Sequence, residues 1–239
     1  MIRCVIFDFG DTLVDSLPEK KGFFWEYEKF LRKQKLHYSL DEIKLAHSFA
    51  EQNYKKLDSR EKQLTDFYFE EQFFLGLGVK KNKILAKLLN KAYVDYRVKM
   101  NKLMPGTKHT LASLKKRGVL LNVITNTNDD TNKVLAKKYG IYKYFNFFLM
   151  SHEEGTIKSE LKIFRLLLKK INKGRKSKIQ PKECLMVGNN LNEDTVASQM
   201  GMKTVILTKR IQCDKKSVYY EPDFYIGNLK ELLKIVGCD

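Results

Sequence analysis

The sequence predicts an α/β protein: a doubly wound parallel sheet with helices on both faces, and an α-helical subdomain inserted after the first strand. Three observations carry this. A short apolar run, Val5-Ile6-Phe7, opens the chain and runs straight into Asp8. From about Leu17 to Met104, aromatic and apolar residues recur three and four apart, with no convincing strand pattern. Beyond Pro105-Gly106, short apolar runs alternate with helix-length segments, the arrangement that builds parallel strands joined by crossover helices.

Taken in order, the first strand ends at Asp8 and is punctuated by Gly10. The insert shows its helical spacing in Phe23, Phe24, Tyr27, Phe30 and Leu31, then in Phe67, Phe69, Phe73 and Phe74, then in Ile84, Leu85, Leu88 and Leu89. A helix over Thr107–Arg117 stops at Gly118, since glycine readily takes the left-handed conformation that closes a helix. Strand Leu120–Ile124 follows, then the polar loop Thr125–Asn128 and a helix Asp130–Tyr139 stopped by Gly140. Phe147–Met150 reads as a strand, Glu153-Glu154 as a solvated loop pair, and Ser159–Ile171 as a helix leading into a basic loop. Strand Cys184–Val187 ends at Gly188, and helix Asp194–Met200 stops at Gly201. Strand Thr204–Leu207, a short strand at Tyr225-Ile226 and a closing helix Leu229–Val236 complete the chain. The expected division is a core of 1–16 and 102–239 with a helical cap of 17–101.

The 239 residues, 43% hydrophobic and 31% charged, suffice for a sizeable core and exclude a disordered tail, a fibre or a disulfide mini-protein. Cys4, Cys184, Cys213 and Cys238 lie far apart with no C-x-x-C pair, so reduced thiols are expected rather than a zinc ribbon. The apolar run before Asp8 is too short for a signal peptide, and no uncharged run approaches the roughly 20 residues of a membrane helix. A soluble, cytoplasmic protein without a membrane partner is expected. The net charge of +17 comes from 37 Lys and only 8 Arg. Lysine is a solvated point charge, whereas arginine is the favoured fork for bases and phosphates. The excess therefore reads as a solvated surface, and no nucleic-acid site is expected. His37, His47, His109 and His152 are scattered and read as surface or packing residues.

Open sheets of this class bind ligands at the carboxyl ends of their strands. That rule selects four segments: Asp8 to Thr12, Thr125 to Asn128, Ser151 to Lys158, and Gly188 to Asp194. Each carries polar or charged residues where an apolar run stops. The helical insert follows the first of them and is placed to serve as a lid.

Phe7-Asp8-Phe9-Gly10-Asp11-Thr12-Leu13 resembles the first motif of the haloacid dehalogenase (HAD) superfamily, and Val123-Ile124-Thr125-Asn126 resembles its second. Ser151 to Lys158, followed by Ile163-Phe164, resembles the third. Val187-Gly188-Asn189-Asn190-Leu191-Asn192-Glu193-Asp194 resembles the fourth, and Pro222–Ile226 the usual tail. The resemblance implies a Rossmann-like core, a type 1 helical cap, and hydrolysis of a small phosphorylated metabolite. Asp8 would be the nucleophile, forming an aspartyl-phosphate. Lys158, the Thr125 hydroxyl and the Asn126 amide would surround the transferring anion with charge and donors. Mg²⁺ would be held by Asp8, the Gly10 carbonyl, Asn189 and Asp194.

Two positions depart from the family pattern. Gly10 stands where most family phosphatases have an Asp that acts as general acid and then base; Asp11, one place later, or water is the expected substitute. Asn189 stands where an Asp usually ligates the metal, leaving one neutral oxygen. A Mg²⁺-dependent phosphatase is the leading expectation. The alternatives are an attenuated relative that binds a phosphorylated ligand or partner without turnover, and a 2-haloacid dehalogenase-type hydrolase, which uses an Asp nucleophile without metal.

Overall fold

A computed structural model describes residues 1–16, 22–58, 61, 66–214 and 217–237. The expected start of the cap at Leu17 and the thiol of Cys238 lie outside the described residues. The chain divides into two compact units, Met1–Asp15 with Lys102–Asp239, and Ser16–Asn101.

The first unit is the α/β sheet. Strand β1 (Cys4–Phe7) is wholly buried. β4 (Leu120–Thr125), β5 (Phe147–Met150), β6 (Cys184–Gly188), β7 (Lys203–Leu207) and β8 (Phe224–Ile226) join it in the order β5-β4-β1-β6-β7-β8. Every ladder is parallel. Sheets of this kind are covered on both faces, which is why the inner strands are continuous apolar runs instead of alternating ones. On one face Cys4, Ile6, Ile124, Cys184 and Met186 pack with Ile163, Phe164, Leu167 and Ile171 from helix Lys162–Asn172. The sequence order departs from β1 in two directions, toward β4–β5 and toward β6–β8. The crevice of such a sheet therefore lies at the carboxyl end of β1, where the winding reverses.

Four features of this unit differ from the sequence reading. Val14–Asp15 (β2) pairs antiparallel with Lys102–Leu103 (β3), where the sequence showed no strand. A two-residue strand has no periodicity to detect. The helix expected from Ser159 begins at Lys162, after a 3₁₀ turn over Lys158–Glu160 and a left-handed residue, Leu161, at φ 56°. Likewise, the helix expected over Asp194–Met200 is one α turn, Leu191–Asp194, followed by 3₁₀ structure to Met200. Glu153 and Glu154 are not a loop pair. They close a helical turn, Ser151–Glu154, and each sits 2.6 Å from a lysine, Lys133 and Lys170 respectively.

The second unit is helical: Phe23–Lys33, Leu40–Lys56, Tyr68–Gly76 and Lys83–Met100. Ser39 and Glu42 form a reciprocal capping box at the start of the second helix. Its core is Tyr27, Phe30, Leu31, Ile43, Phe73, Phe74 and Leu89. At Gly76 a Cβ would stand 2.9 Å from the Ala46 Cα, so only glycine lets these two helices approach so closely. His47 packs among the rings of Phe23, Phe24, Tyr27 and Phe69, and burial holds its pKa below the usual value. Among the described residues no helix is long and apolar enough to cross a membrane.

Candidate active site

The carboxyl ends of β1, β4 and β6 bring one cation and several oxygens together. Asp8 follows β1, and its backbone N–H donates to the Val187 carbonyl at 2.8 Å, which ties the end of β1 to β6. Lys158 is 1% exposed, a rare burial for a lysine. Its Nζ donates to Asp8 Oδ1 at 2.6 Å and to Asp194 Oδ1 at 2.6 Å. Asp194 is fixed from its other side, where Oδ2 accepts from the backbone N–H groups of Asn189 (3.0 Å) and Asn190 (2.9 Å). This explains Gly188: a Cβ there would fall on the Asp194 carboxylate.

A third acid, Glu193, stands by the same lysine. The neighbouring Asn126 side chain favours its charged form, and Asn126 Oδ1 accepts from the Lys158 backbone N–H at 3.2 Å. Glu193 was not among the sequence candidates, because it lies in a polar run where nothing in the residue pattern marks burial. Its one signal is its place directly before Asp194 on a helical turn.

One ammonium faces three carboxylates, and the electrostatics follow. Burial raises the Asp8 pKa to about 7 from 3.8; Lys158 opposes the rise, and Asp194 and Glu193 reinforce it. Burial also raises Glu193, with Asp194 adding to the effect. Burial works against the charge of Lys158, but Asp194 and Asp8 outweigh it and hold the lysine protonated beyond its ordinary range. The cluster therefore carries more negative than positive charge when its acids ionise.

The remaining candidates are placed as follows. The Thr12 hydroxyl lies 3.3 Å from Asp8 Oδ2 and 3.1 Å from Asn189 Oδ1. A hydroxyl has one proton, so at any instant one of these two oxygens lacks it. Two hard oxygens converging on one donor, in a cluster of excess negative charge, fit a divalent cation. Asn189 Nδ2 donates to the Arg210 carbonyl at 2.8 Å, a bond that a carboxylate could not make. Thr125 ends β4, and its Oγ1 accepts from Asn132 Nδ2 at 3.0 Å, so its own proton is directed elsewhere. Gly10 lies outside the left-handed region, and a Cβ built there meets nothing within 4 Å. Asp11 is left-handed, at φ 57°, and its Oδ2 accepts from Gln212 Nε2 at 3.5 Å. Asp130, His152 and Glu153 form a separate group able to hold a metal ion, their ligand atoms within 4.8 Å of one another. No sequence expectation placed a metal there, and Glu153 is already paired with Lys133.

Known proteins share this architecture. A solved HAD phosphatase from Thermococcus onnurineus superposes with a TM-score of 0.71 at 24% identity, covering 100% of this chain and 99% of that one. A 2-haloacid dehalogenase from Pseudomonas syringae pv. Tomato superposes at 0.75 with 22% identity, covering 99% of each. At these identities the likeness speaks to the fold, which serves both chemistries. Among curated proteins, a glyceraldehyde 3-phosphate phosphatase of Methanothermobacter thermautotrophicus is 27% identical over 215 residues, 88% of each chain. A ribulose-1,5-bisphosphate 5-phosphatase of Halopiger xanaduensis is 26% identical over 251 residues, covering 99% of this chain and 100% of its own. A sequence model of the haloacid dehalogenase-like hydrolases matches residues 2–201, a span that takes in all four strand-end segments. With its winding order, its strand-end cluster and this match in agreement, the chain belongs to the haloacid dehalogenase-like hydrolases.

Proposed function

We propose that the chain is a Mg²⁺-dependent phosphatase of a small phosphorylated metabolite, working through an aspartyl-phosphate on Asp8. The observation that carries this is the Lys158 ammonium, 2.6 Å from both Asp8, at the end of buried β1, and Asp194, on the helical turn that follows β6. Such a lysine positions a carboxylate nucleophile and offsets the charge of an incoming phosphoryl group. The phosphatase names of the curated relatives support it, and they favour neither the dehalogenase reading nor a binder without turnover.

In the first step an Asp8 oxygen attacks phosphorus and the ester oxygen departs. In the second, water attacks the phosphorus, the P–O bond to Asp8 breaks and restores its carboxylate, the water's proton passes to Asp11 or to solvent, and inorganic phosphate is released. The Thr125 hydroxyl, steadied by Asn132, donates to a phosphoryl oxygen. Asn126 positions Lys158 through its backbone. Asp8, the Gly10 carbonyl and Asn189 would hold Mg²⁺; Asp194, expected from the sequence as a fourth ligand, has Oδ1 on Lys158 and Oδ2 on the Asn189 and Asn190 N–H groups, so it would act through water or by its charge, as would Glu193. Bound there, the ion supplies positive charge to the phosphoryl oxygens and keeps Asp8 ionised. With Gly10 in place of an acid, the leaving group takes its proton from water or from Asp11, and turnover of poor leaving groups is slow.

The test is hydrolysis of p-nitrophenyl phosphate with Mg²⁺ and with a chelator, for wild type and Asp8→Asn. The expected result is metal-stimulated turnover that Asp8→Asn lowers by orders of magnitude. Undiminished turnover in the mutant refutes the covalent mechanism, and metal-independent chloride release from a 2-haloacid establishes the dehalogenase alternative.

A further inference from the structure

The loop that follows β7 holds the end of β6. It begins with a 3₁₀ turn over Thr208–Arg210. From the last residue of that turn, the Arg210 carbonyl accepts from Asn189 Nδ2 at 2.8 Å. Two residues on, the Gln212 N–H donates to the Asn189 carbonyl at 2.7 Å, and the Gln212 carbonyl accepts from the Leu191 N–H at 2.9 Å. The Arg210 side chain goes to a different partner, Asp15 in β2. Its Nε and Nη2 donate to Oδ1 at 3.3 and 3.2 Å, and Nη2 also donates to Oδ2 at 3.2 Å. A planar guanidinium on both oxygens of a carboxylate fixes orientation as well as distance. Arg210 thus grips β2 by its side chain and Asn189 by its backbone.

What this does to Asn189 follows from the chemistry of an amide. Its two ends differ: the oxygen accepts and the nitrogen donates. A hard cation is bound by the oxygen. The Thr12 hydroxyl, 3.1 Å from Asn189 Oδ1, can donate or accept, so it is compatible with either end. The Arg210 carbonyl only accepts, so of these two partners it is the one that tells the ends apart. It takes Nδ2, which leaves Oδ1 on the side of Thr12, whose hydroxyl also faces Asp8. Turning the amide over would set Oδ1 against the Arg210 oxygen and aim N–H groups where a cation needs an oxygen. Asn189 is 2% exposed, so bulk water does not stand in for the acceptor. An aspartate here would have two equivalent oxygens and no need of an orienting partner. The amide does need one, and the loop after β7 supplies it.

We propose, on the reading of Asn189 as a metal ligand, that Arg210 is a positioning residue: its ion pair with Asp15 holds its own carbonyl in place, and that carbonyl turns the Asn189 oxygen toward the cation. The probe is Mn²⁺, added to the full chain and followed by electron paramagnetic resonance with Mg²⁺ as competitor; melts without metal verify folding. Arg210→Gln should weaken Mn²⁺ by roughly tenfold, the low end for residues that orient a ligand. Loss of a positive charge beside a cation site would by itself tighten binding, so unchanged or tighter affinity in the folded variant overturns the proposal. Arg210→Lys keeps the charge but not the fork and should also weaken Mn²⁺, which gives a second test if the Gln variant does not fold. In Asn189→Asp, whose two oxygens are equivalent, adding Arg210→Gln should no longer weaken the metal. Equal weakening there assigns the effect to the loop at large and overturns the role of the amide. A wild-type chain that binds no Mn²⁺ refutes the metal site itself, a result distinct from the others. A readout without metal is the Asn189 side-chain N–H signal in ¹⁵N-asparagine-labelled protein, identified by its loss in Asn189→Asp. It should exchange with water faster in Arg210→Gln than in wild type, and equal exchange overturns the tether.

Discussion

Gly10→Asp tests how far the missing acid limits the proposed reaction. The position admits the change: its backbone is outside the left-handed region, and a Cβ meets nothing within 4 Å. Replacing glycine at such a site removes unfolded-state freedom, so stability should hold or rise by about 0.4–1 kcal/mol. General acid–base catalysis is worth about 10²–10⁴-fold at full effect. The open space that admits the side chain also leaves it unsupported, and unsupported groups act below full effect. A gain of roughly tenfold to a hundredfold in turnover is therefore expected. The gain should depend on the leaving group. An alkoxide needs a proton as it departs, whereas p-nitrophenolate leaves readily as an anion. The assay is kcat on β-glycerol phosphate and on p-nitrophenyl phosphate, for wild type and mutant, with a thermal melt to verify folding. The ratio of the two rates should shift toward glycerol phosphate in the mutant. A folded mutant with no gain, or with equal gain on both substrates, refutes the assignment of proton transfer to this position.

Other outcomes follow from the same cluster. Asp8→Asn should flatten the pH dependence of stability in the metal-free protein: the raised Asp8 pKa lets the folded chain hold a proton the unfolded chain has lost, so wild-type stability falls as pH rises from about 4 toward about 7, and urea melts at pH 5 and 8 read the slope. Asn189→Asp should tighten Mg²⁺ by adding a charged oxygen yet lower the metal-free melting temperature, because it sets a carboxylate oxygen against the Arg210 carbonyl and loses a buried bond, a cost of about 1–3 kcal/mol. Glu193→Gln removes one of the charges that raise Asp8, so the acidic limb of the pH–rate profile should move to lower pH; an unmoved limb shows that Glu193 does not reach the nucleophile. Lys158→Met should destabilise the fold by about 3–5 kcal/mol at pH 8, because it strands buried carboxylates, and by less at pH 5, where they accept protons.

Much of the sheet was readable because strands buried on both faces are continuous apolar runs. Val5-Ile6-Phe7 and Leu185-Met186-Val187 need no alternation to be recognised, and the polar residues that end them marked Asp8 and Asn189. What escaped was set by tertiary geometry. Leu161 adopts a left-handed conformation that no leucine advertises, and it delays a helix by three residues. The role of Asn189 depends on a carbonyl from Arg210, 21 residues away. The burial of Lys158 was invisible among 37 lysines; only the register of the third strand-end segment singled it out. Glu193 and Thr12 sat within the quoted segments, but their partners are visible only once the strand ends lie side by side.

The pairing of β2 with β3 has a topological consequence. Val14 faces Leu103 and Asp15 faces Lys102, while Thr107 Oγ1 and the Met104 N–H both bond to the Leu13 carbonyl. Departure and return are thus stitched together before the chain leaves the sheet, and everything from Ser16 to Asn101 is, for that ribbon, the loop of a single hairpin. A hairpin loop can be exchanged for another of any length whose ends meet, at a closure cost that grows only with the logarithm of its size. The excursion is therefore an interchangeable part. Grafting a different folded insert, or a tight two-residue turn, between Asp15 and Lys102 should leave the register of all six sheet strands unaltered, with the strand-end cluster they position still in place.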